Sequence, residues 1–268
     1  MSIPRLLCRR TLALHTTQAR QLSGIPKVFS VADVAYPRRQ KSVNSLTLDT
    51  ILTTEVAASP GVFQFTLNRP SRGNSFNMQM WHELKEAFQA ADGDHTVRAI
   101  ILTGNSTSFS TGMDLSVFME MQRVADSEVC EGRKREALSE FIQFLQDSVN
   151  APEFCSVPVI AAISGYCIGG AVDLVTACDL RYCTDSSTFC IKETDLAMVA
   201  DIGTLQRLPK LIGDQRTREL AYTGRTIGGA EAERLGLVMT SFATEELMNE
   251  HVRATALTIA KKSPLTIR

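Results

Sequence analysis

An α/β fold is what this sequence predicts, on three observations. Strand, strand and helix patterns recur along the chain. The runs 97–102 (VRAIIL) and 157–163 (VPVIAAI) are apolar, short and rich in β-branched residues, as buried strands are. The pair Gly169-Gly170 then stands where the second of these runs gives way to a helical pattern.

Taken in order, the elements begin late. The first 32 residues hold no acid, while Arg5, Arg9, Arg10, Arg20 and Lys27 alternate with serine, threonine and leucine. That pattern predicts a mitochondrial transit peptide over residues 1–32, against the plainer alternative of a disordered basic tail. Residues 33–45, with the polar basic run PRRQKS, read as a linker. A core is expected over 46–240 and the start of a C-terminal helical region over 241–268. Leu46, Leu48, Ile51 and Val56 suggest a first strand. Val62, Phe63, Phe65 and Leu67 suggest a second, closed by the turn-rich loop 68–74 (NRPSRGN). Asn77 is placed to cap a helix running to Ala91, with Met80, Trp81, Leu84 and Phe88 at helical spacing. After loop 109–115 (FSTGMDL), helical segments run to about Val149 with a break near Asp126. Further strands are expected near 179–183 and 188–191.

Composition excludes several classes. Hydrophobic residues are 44%, charged residues 21% and the net charge is -1, which suits a globular protein without a basic nucleic-acid surface. No apolar run approaches the roughly 18 residues that cross a bilayer, so no stable membrane insertion is expected. Seven cysteines with no CxxC pair read as reduced core residues, and four scattered histidines give no metal site.

Candidate chemistry gathers in two places. Glycine marks two loop-to-helix transitions, Ser110-Thr111-Gly112-Met113 and Cys167-Ile168-Gly169-Gly170. Two backbone N–H groups aimed at one point form an oxyanion hole, each worth roughly 3 kcal/mol to a transition state; the plainer reading is that both glycines only cap or pack helices. Three acids, Asp173, Glu193 and Asp201, lie among apolar neighbours, where a carboxylate is costly unless paired or used. Asp173 could instead pair with Arg181, Glu193 could end a surface strand, and Asp201 could cap a helix near Gly203. Neither GxxxxGK[ST] nor GxGxxG occurs here, which disfavours a nucleotide-phosphate cradle.

FSTGMDL followed by VPVIAAISGYCIGGAVDLVTACDLRYC resembles the crotonase (enoyl-CoA hydratase/isomerase) superfamily, and IKETDLAMVADIGTLQRLPKLIG resembles its Δ3,5-Δ2,4-dienoyl-CoA isomerase branch. The resemblance implies a crotonase-like spiral of ββα units, its C-terminal helical region shortened here. It also implies an acyl-CoA thioester substrate, no separate cofactor, and a homotrimer or homohexamer when the C-terminal helices are present. The N–H groups of Met113 and Gly170 match the family's oxyanion hole. Thr111, Gly112, Asp114 and Leu115 match its substrate loop, with Asp114 bracing that loop, and Arg72 falls where the nucleotide part of CoA is contacted. Hydratases of the fold hold a water with two glutamates at the positions of Asp173 and Glu193; the shortened Asp173 and the added Asp201 match the isomerase set. Arg207 matches a structural ion-pair position.

That set implies a definite reaction. Moving a 3,5-diene into 2,4-conjugation takes a proton from C2 and adds one at C6, carbons roughly 5 Å apart. Glu193 is expected as the base at C2, Asp201 as the acid at C6 and protonated at rest, and Asp173 as the group that polarises or orients Glu193. The alternatives are an enoyl-CoA hydratase and a non-catalytic crotonase-fold binding protein. A mitochondrial-matrix location follows from the leader; residues beyond Arg268, if the protein has them, would leave a peroxisomal SKL-type address open.

Overall fold

The computed structural model describes residues 42–267, so the expected leader and most of the expected linker lie outside the described residues. Ten strands are described: β1 (Ile51–Glu55), β2 (Val62–Leu67), β3 (Ala99–Gly104), β4 (Ser108–Ser110), β5 (Val159–Ile163), β6 (Tyr166–Ile168), β7 (Leu180–Thr184), β8 (Thr188–Cys190), β9 (Ile227–Gly228) and β10 (Thr240–Phe242). The helices are α1 (Met78–Gly93), α2 (Ser116–Asp126), α3 (Glu131–Phe154), α4 (Gly170–Ala177), α5 (Thr204–Ile212), α6 (Asp214–Thr223), α7 (Gly229–Leu235), α8 (Glu245–Ala260) and α9 (Pro264–Ile267).

The strands form two sheets, ordered β1-β2-β3-β5-β7-β10 and β4-β6-β8-β9. In the larger, β2, β3, β5, β7 and β10 run parallel and β1 is antiparallel. Successive turns of chain each give one strand to the large sheet, one to the small sheet and then a helix: β3, β4 and α2; β5, β6 and α4; β7, β8 and α5. The strand–strand–helix recurrence in the sequence is this spiral. In the first turn the small-sheet strand shrinks to an isolated bridge between Phe76 and Met113.

Period-2 alternation divides the large sheet's faces. Ile100, Leu102, Val159, Ala161 and Ile163 enter the main core, while Ala99, Ile101, Ile160 and Ala162 point to the opposite face. Covering that opposite face is α8, through Met248, Val252 and Ala256. Packing against the large sheet continues past the expected boundary at residue 240. Phe242 pairs with Thr184 inside the large sheet, and α8 buries one face of that sheet, so both belong to the core.

The start also moves. Val43 is buried, and Ser42 and Val43 bond to the Asp94 carboxylate, so the core includes residues expected in the linker. Regular strand, by contrast, starts only at Ile51. The Asn77 cap is found as expected: its side chain accepts from the Met80 N–H at 3.1 Å. The α2–α3 break falls at Asp126. Six cysteines among the described residues are free thiols, and Cys167, Cys178, Cys183 and Cys190 are buried.

Because Met248 is fully buried on the sheet face that α8 covers, Met248→Ala should cost about 2–5 kcal/mol. The expected result is a lower urea midpoint with an unchanged slope.

Candidate active site

Parallel pairing of β4 with β6, Ser108 opposite Tyr166 and Ser110 opposite Cys167, lays the two glycine loops side by side. Phe76 fixes the first loop from its other edge. Its N–H donates to the Gly112 carbonyl at 2.7 Å and its carbonyl accepts from the Asp114 N–H at 3.1 Å. In such a parallel bridge the skipped residue, Met113, has its own N–H facing away from the partner strand. Gly170 is the first residue of α4, where an N–H has no acceptor within the helix.

Glycine at 112 lets these amides meet. Its φ is +84°, and a Cβ there would stand 2.5 Å from the Ile168 carbonyl oxygen and 3.2 Å from Gly170 N. A Cβ on Gly170 would lie 3.8 Å from Met113 N. The paired amides expected from the sequence are therefore neighbours.

Both residues line a cavity of about 300 Å³, together with Thr111, Glu193 and Asp201. Its apolar wall comes from Phe118 and Met121 of α2, Ile142 and Leu145 of α3, and Met198, Val199 and Ile202 of the segment between Glu193 and α5. The α3 side chains are a contribution that the sequence reading missed. They lie far from every motif and carry only ordinary helical periodicity.

The three acids converge on this region from different elements. Asp173, in the first turn of α4, is fully buried. Its Oδ1 accepts the N–H of Thr204, the first residue of α5, at 2.5 Å, placing a carboxylate at the end of a helix dipole that favours anions. Burial nevertheless pushes its pKa up to about 6. Glu193 opens a short 3-10 turn, and a Cβ on Gly169 would come within 3.2 Å of its Oε1. Burial first, and then the charge of Asp173, push the Glu193 carboxyl up to about 7. Asp173 Oδ2 and Glu193 Oε2 are both buried without a hydrogen-bond partner.

Asp201 sits on the rim. Its N–H donates to the Val199 carbonyl at 2.9 Å, and its carbonyl accepts from Gln146 Nε2 at 3.1 Å and Gln206 Nε2 at 3.4 Å. Its charge is felt by both Asp173 and Glu193, raising the pKa of each. The environments of the acids differ as expected: Asp173 and the Glu193 carboxyl are enclosed, whereas Asp201 is exposed.

Other expectations resolve singly. Arg181 bonds to the carbonyls of Leu237, Val175 and Cys178, not to Asp173. Gly203 and the Asp173 carboxylate cap α5, so Asp201 does not. No hydrogen bond joins Asp173 to Glu193 among the described residues; Asp173 acts on Glu193 through charge and holds Thr204 instead. Asp114 accepts from Ser116 N and pairs with Arg69 at 2.9 Å, and these two partners hold its pKa well below the usual carboxylate range; with a further bond from Ser75 Oγ they tie the loop down. Leu115 is 70% exposed, and neither it nor the exposed Arg72 lines the cavity. Arg207 pairs with Glu153 at 2.9 Å and with Asn150.

Gly112→Ala would place a methyl group against the Ile168 carbonyl at a positive φ. The expected outcome is a protein that still folds, destabilised by about 1–3 kcal/mol, and that loses acyl-thioester turnover far more than this cost explains. Paired thermal melts and turnover assays check it.

The enoyl-CoA hydratase/isomerase family model matches residues 57–268. The peroxisomal Δ3,5-Δ2,4-dienoyl-CoA isomerase of Arabidopsis thaliana is 40% identical over 83% of this chain and 81% of its own length. The mitochondrial enzyme of that name from Homo sapiens is 39% identical over 79% of this chain, which spans only 65% of the human protein. Among solved structures, the enoyl-CoA hydratase of Bacillus anthracis superposes with a TM-score of 0.70 at 32% identity, over 82% of this chain and 80% of that one. A Thermobifida fusca YX protein solved in complex with acetoacetyl-CoA also superposes with a TM-score of 0.70, at 28% identity over 81% of this chain and 83% of its own. Sequence and fold agree that this chain belongs to the enoyl-CoA hydratase/isomerase family and has the crotonase fold.

Proposed function

We propose that this protein isomerises 3,5-dienoyl-CoA to 2,4-dienoyl-CoA. The carrying observation is that Glu193 and Asp201 line one cavity that also presents the residues of the paired amides, Met113 and Gly170. In this reading the thioester oxygen lies between the two N–H groups and the acyl chain runs along the apolar wall. Glu193 takes a proton from C2, and the electron pair passes through a dienolate whose oxygen the amides stabilise. Asp201 then delivers a proton to C6. Neither step calls for a metal or redox group, and CoA enters as part of the substrate.

A carboxyl with its pKa near 7 suits a group that must accept a proton from carbon and later release it. Asp173 serves as a positioning residue: it raises the basicity of Glu193 through charge and anchors the start of α5, which follows directly on the Asp201 segment. The relatives named above as dienoyl-CoA isomerases support this reading over hydration. The human relative's mitochondrial name supports a mitochondrial location, which the acid-free leader also favours; the plant relative's name keeps a peroxisomal one in view. Assembly as a trimer or hexamer belongs to the same proposal.

An absorbance assay separates the readings. Isomerisation creates a conjugated 2,4-dienoyl thioester chromophore, whereas hydration of a 2-enoyl thioester removes one; a scaffold protein does neither. Glu193→Gln should lower kcat by about 10²–10⁴-fold. Asp201→Asn should abolish diene isomerisation while acyl-CoA binding, read by calorimetry, changes little; normal isomerisation by this variant would refute the role given to Asp201. Because Glu193 must be ionised to act and its pKa is raised to about 7, kcat/KM should fall as pH drops through about 7, approaching tenfold per pH unit on the acid side.

A further inference from the structure

Asp201 lies between two cavities of opposite character. One is the apolar cavity of the site; the other, about 240 Å³, is polar and is lined by Gln146, Asn150 and Glu153 of α3 and by Gln206, Arg207 and Lys210 of α5. Asp201 and Ile202 line both. Glu193 lines only the apolar one. The two acids of the proposed reaction thus differ in access: Asp201 is exposed, whereas Glu193 Oε2 is buried.

The polar cavity is built by specific contacts. Arg207 lies across the Cα of Gly203, where a Cβ would collide with its guanidinium, and it is held there by Glu153 and Asn150. Gln146 and Gln206 reach from the two helices to the Asp201 carbonyl and fix the backbone at the junction. Amide, carboxylate, guanidinium and ammonium groups lining one opening suit hydrogen-bonded water that reaches the Asp201 carboxyl.

We propose that Asp201 exchanges its proton with solvent through this polar cavity, so that the hydrogen placed on C6 comes from water and not from C2. The inference rests on the isomerase reading above. With a substrate in place, the acyl chain fills the apolar cavity between the two acids and blocks direct transfer from Glu193 to Asp201. The cycle balances without a co-reactant. The C2–H bond breaks and its proton goes to Glu193, the C6–H bond forms with the Asp201 proton, and water in the polar cavity reprotonates Asp201. Glu193 returns its proton to solvent once the product has left. Gln146 and Gln206 are positioning residues for this route.

Isotope tracing with the full chain tests it. A 3,5-dienoyl-CoA carrying deuterium at both C2 positions is converted in ordinary water under single-turnover conditions, and product and residual substrate are read by mass spectrometry and NMR. The expected product has lost a deuterium from C2 and carries only hydrogen at C6, while unconverted substrate keeps its C2 label. The mirror experiment, unlabelled substrate in heavy water, should place a single deuterium at C6. Deuterium moved from C2 to C6 in ordinary water would overturn the proposal. So would loss of the C2 label from unconverted substrate as fast as product forms, since Glu193 would then reach solvent equally well. Absence of any 2,4-dienoyl chromophore would instead reject the isomerase reading itself.

Discussion

A parallel bridge one residue long governs this site. Because Phe76 pairs with Gly112 and Asp114, the Met113 N–H cannot join that bridge and stays available on the other side. The Gly170 N–H is available for a different reason, being the first of a helix. Unpaired backbone donors are normally avoided inside proteins, and two of them meeting at one cavity is a standing demand for an acceptor. The spiral of strand–strand–helix turns satisfies the geometric requirement, since consecutive turns stack and their loops fall into register. Backbone dipoles held this way need no reorganisation when charge develops on a bound oxygen.

The acids are organised by a second constraint, the buried contact between Asp173 and the Thr204 N–H. A carboxylate taken wholly out of water would be prohibitively expensive alone. Here a helix N-terminus and the field of Arg207 offset part of that cost, while burial still leaves the group less acidic than usual. Glu193 gains proton affinity first from its own burial and then from the negative charge of Asp173 nearby. An aspartate at this position therefore does two jobs at once: it closes the start of α5, and it makes a neighbouring glutamate a better base.

In the proposed reaction, exposure divides the labour. Glu193 is tucked under Gly169 beside a buried aspartate, and Asp201 stands at a rim supported by two glutamines. A base that takes a proton from carbon gains from being shielded, because water would compete for it. An acid that must be recharged every turnover gains from contact with water. The apolar wall between them, drawn from α2, α3 and the 198–202 segment, suits an acyl chain and keeps the two environments apart.

Local patterns determined much of this protein. Two largely apolar runs of six and seven residues, an asparagine ahead of a periodic helix and glycines at both loop-to-helix junctions state their structure through steric and hydrogen-bonding rules that act over a few residues. The three acids stood out because a carboxylate among apolar neighbours is costly unless paired or used, whereas the amide pair was named by family resemblance, the glycine spacing alone leaving simple capping open. Tertiary structure alone decided the rest. That α8 closes a sheet face and Phe242 joins the sheet depends on pairing with β7, some sixty residues away, and no local rule reaches that far. Likewise Asp173 was free, on sequence, to meet Arg181 or Glu193; it meets Thr204 because the packing of α4 against α5 brings that N–H to it. Solvent access, which separates Asp201 from Glu193, is a property of the whole surface and has no signature in either residue's neighbours along the chain.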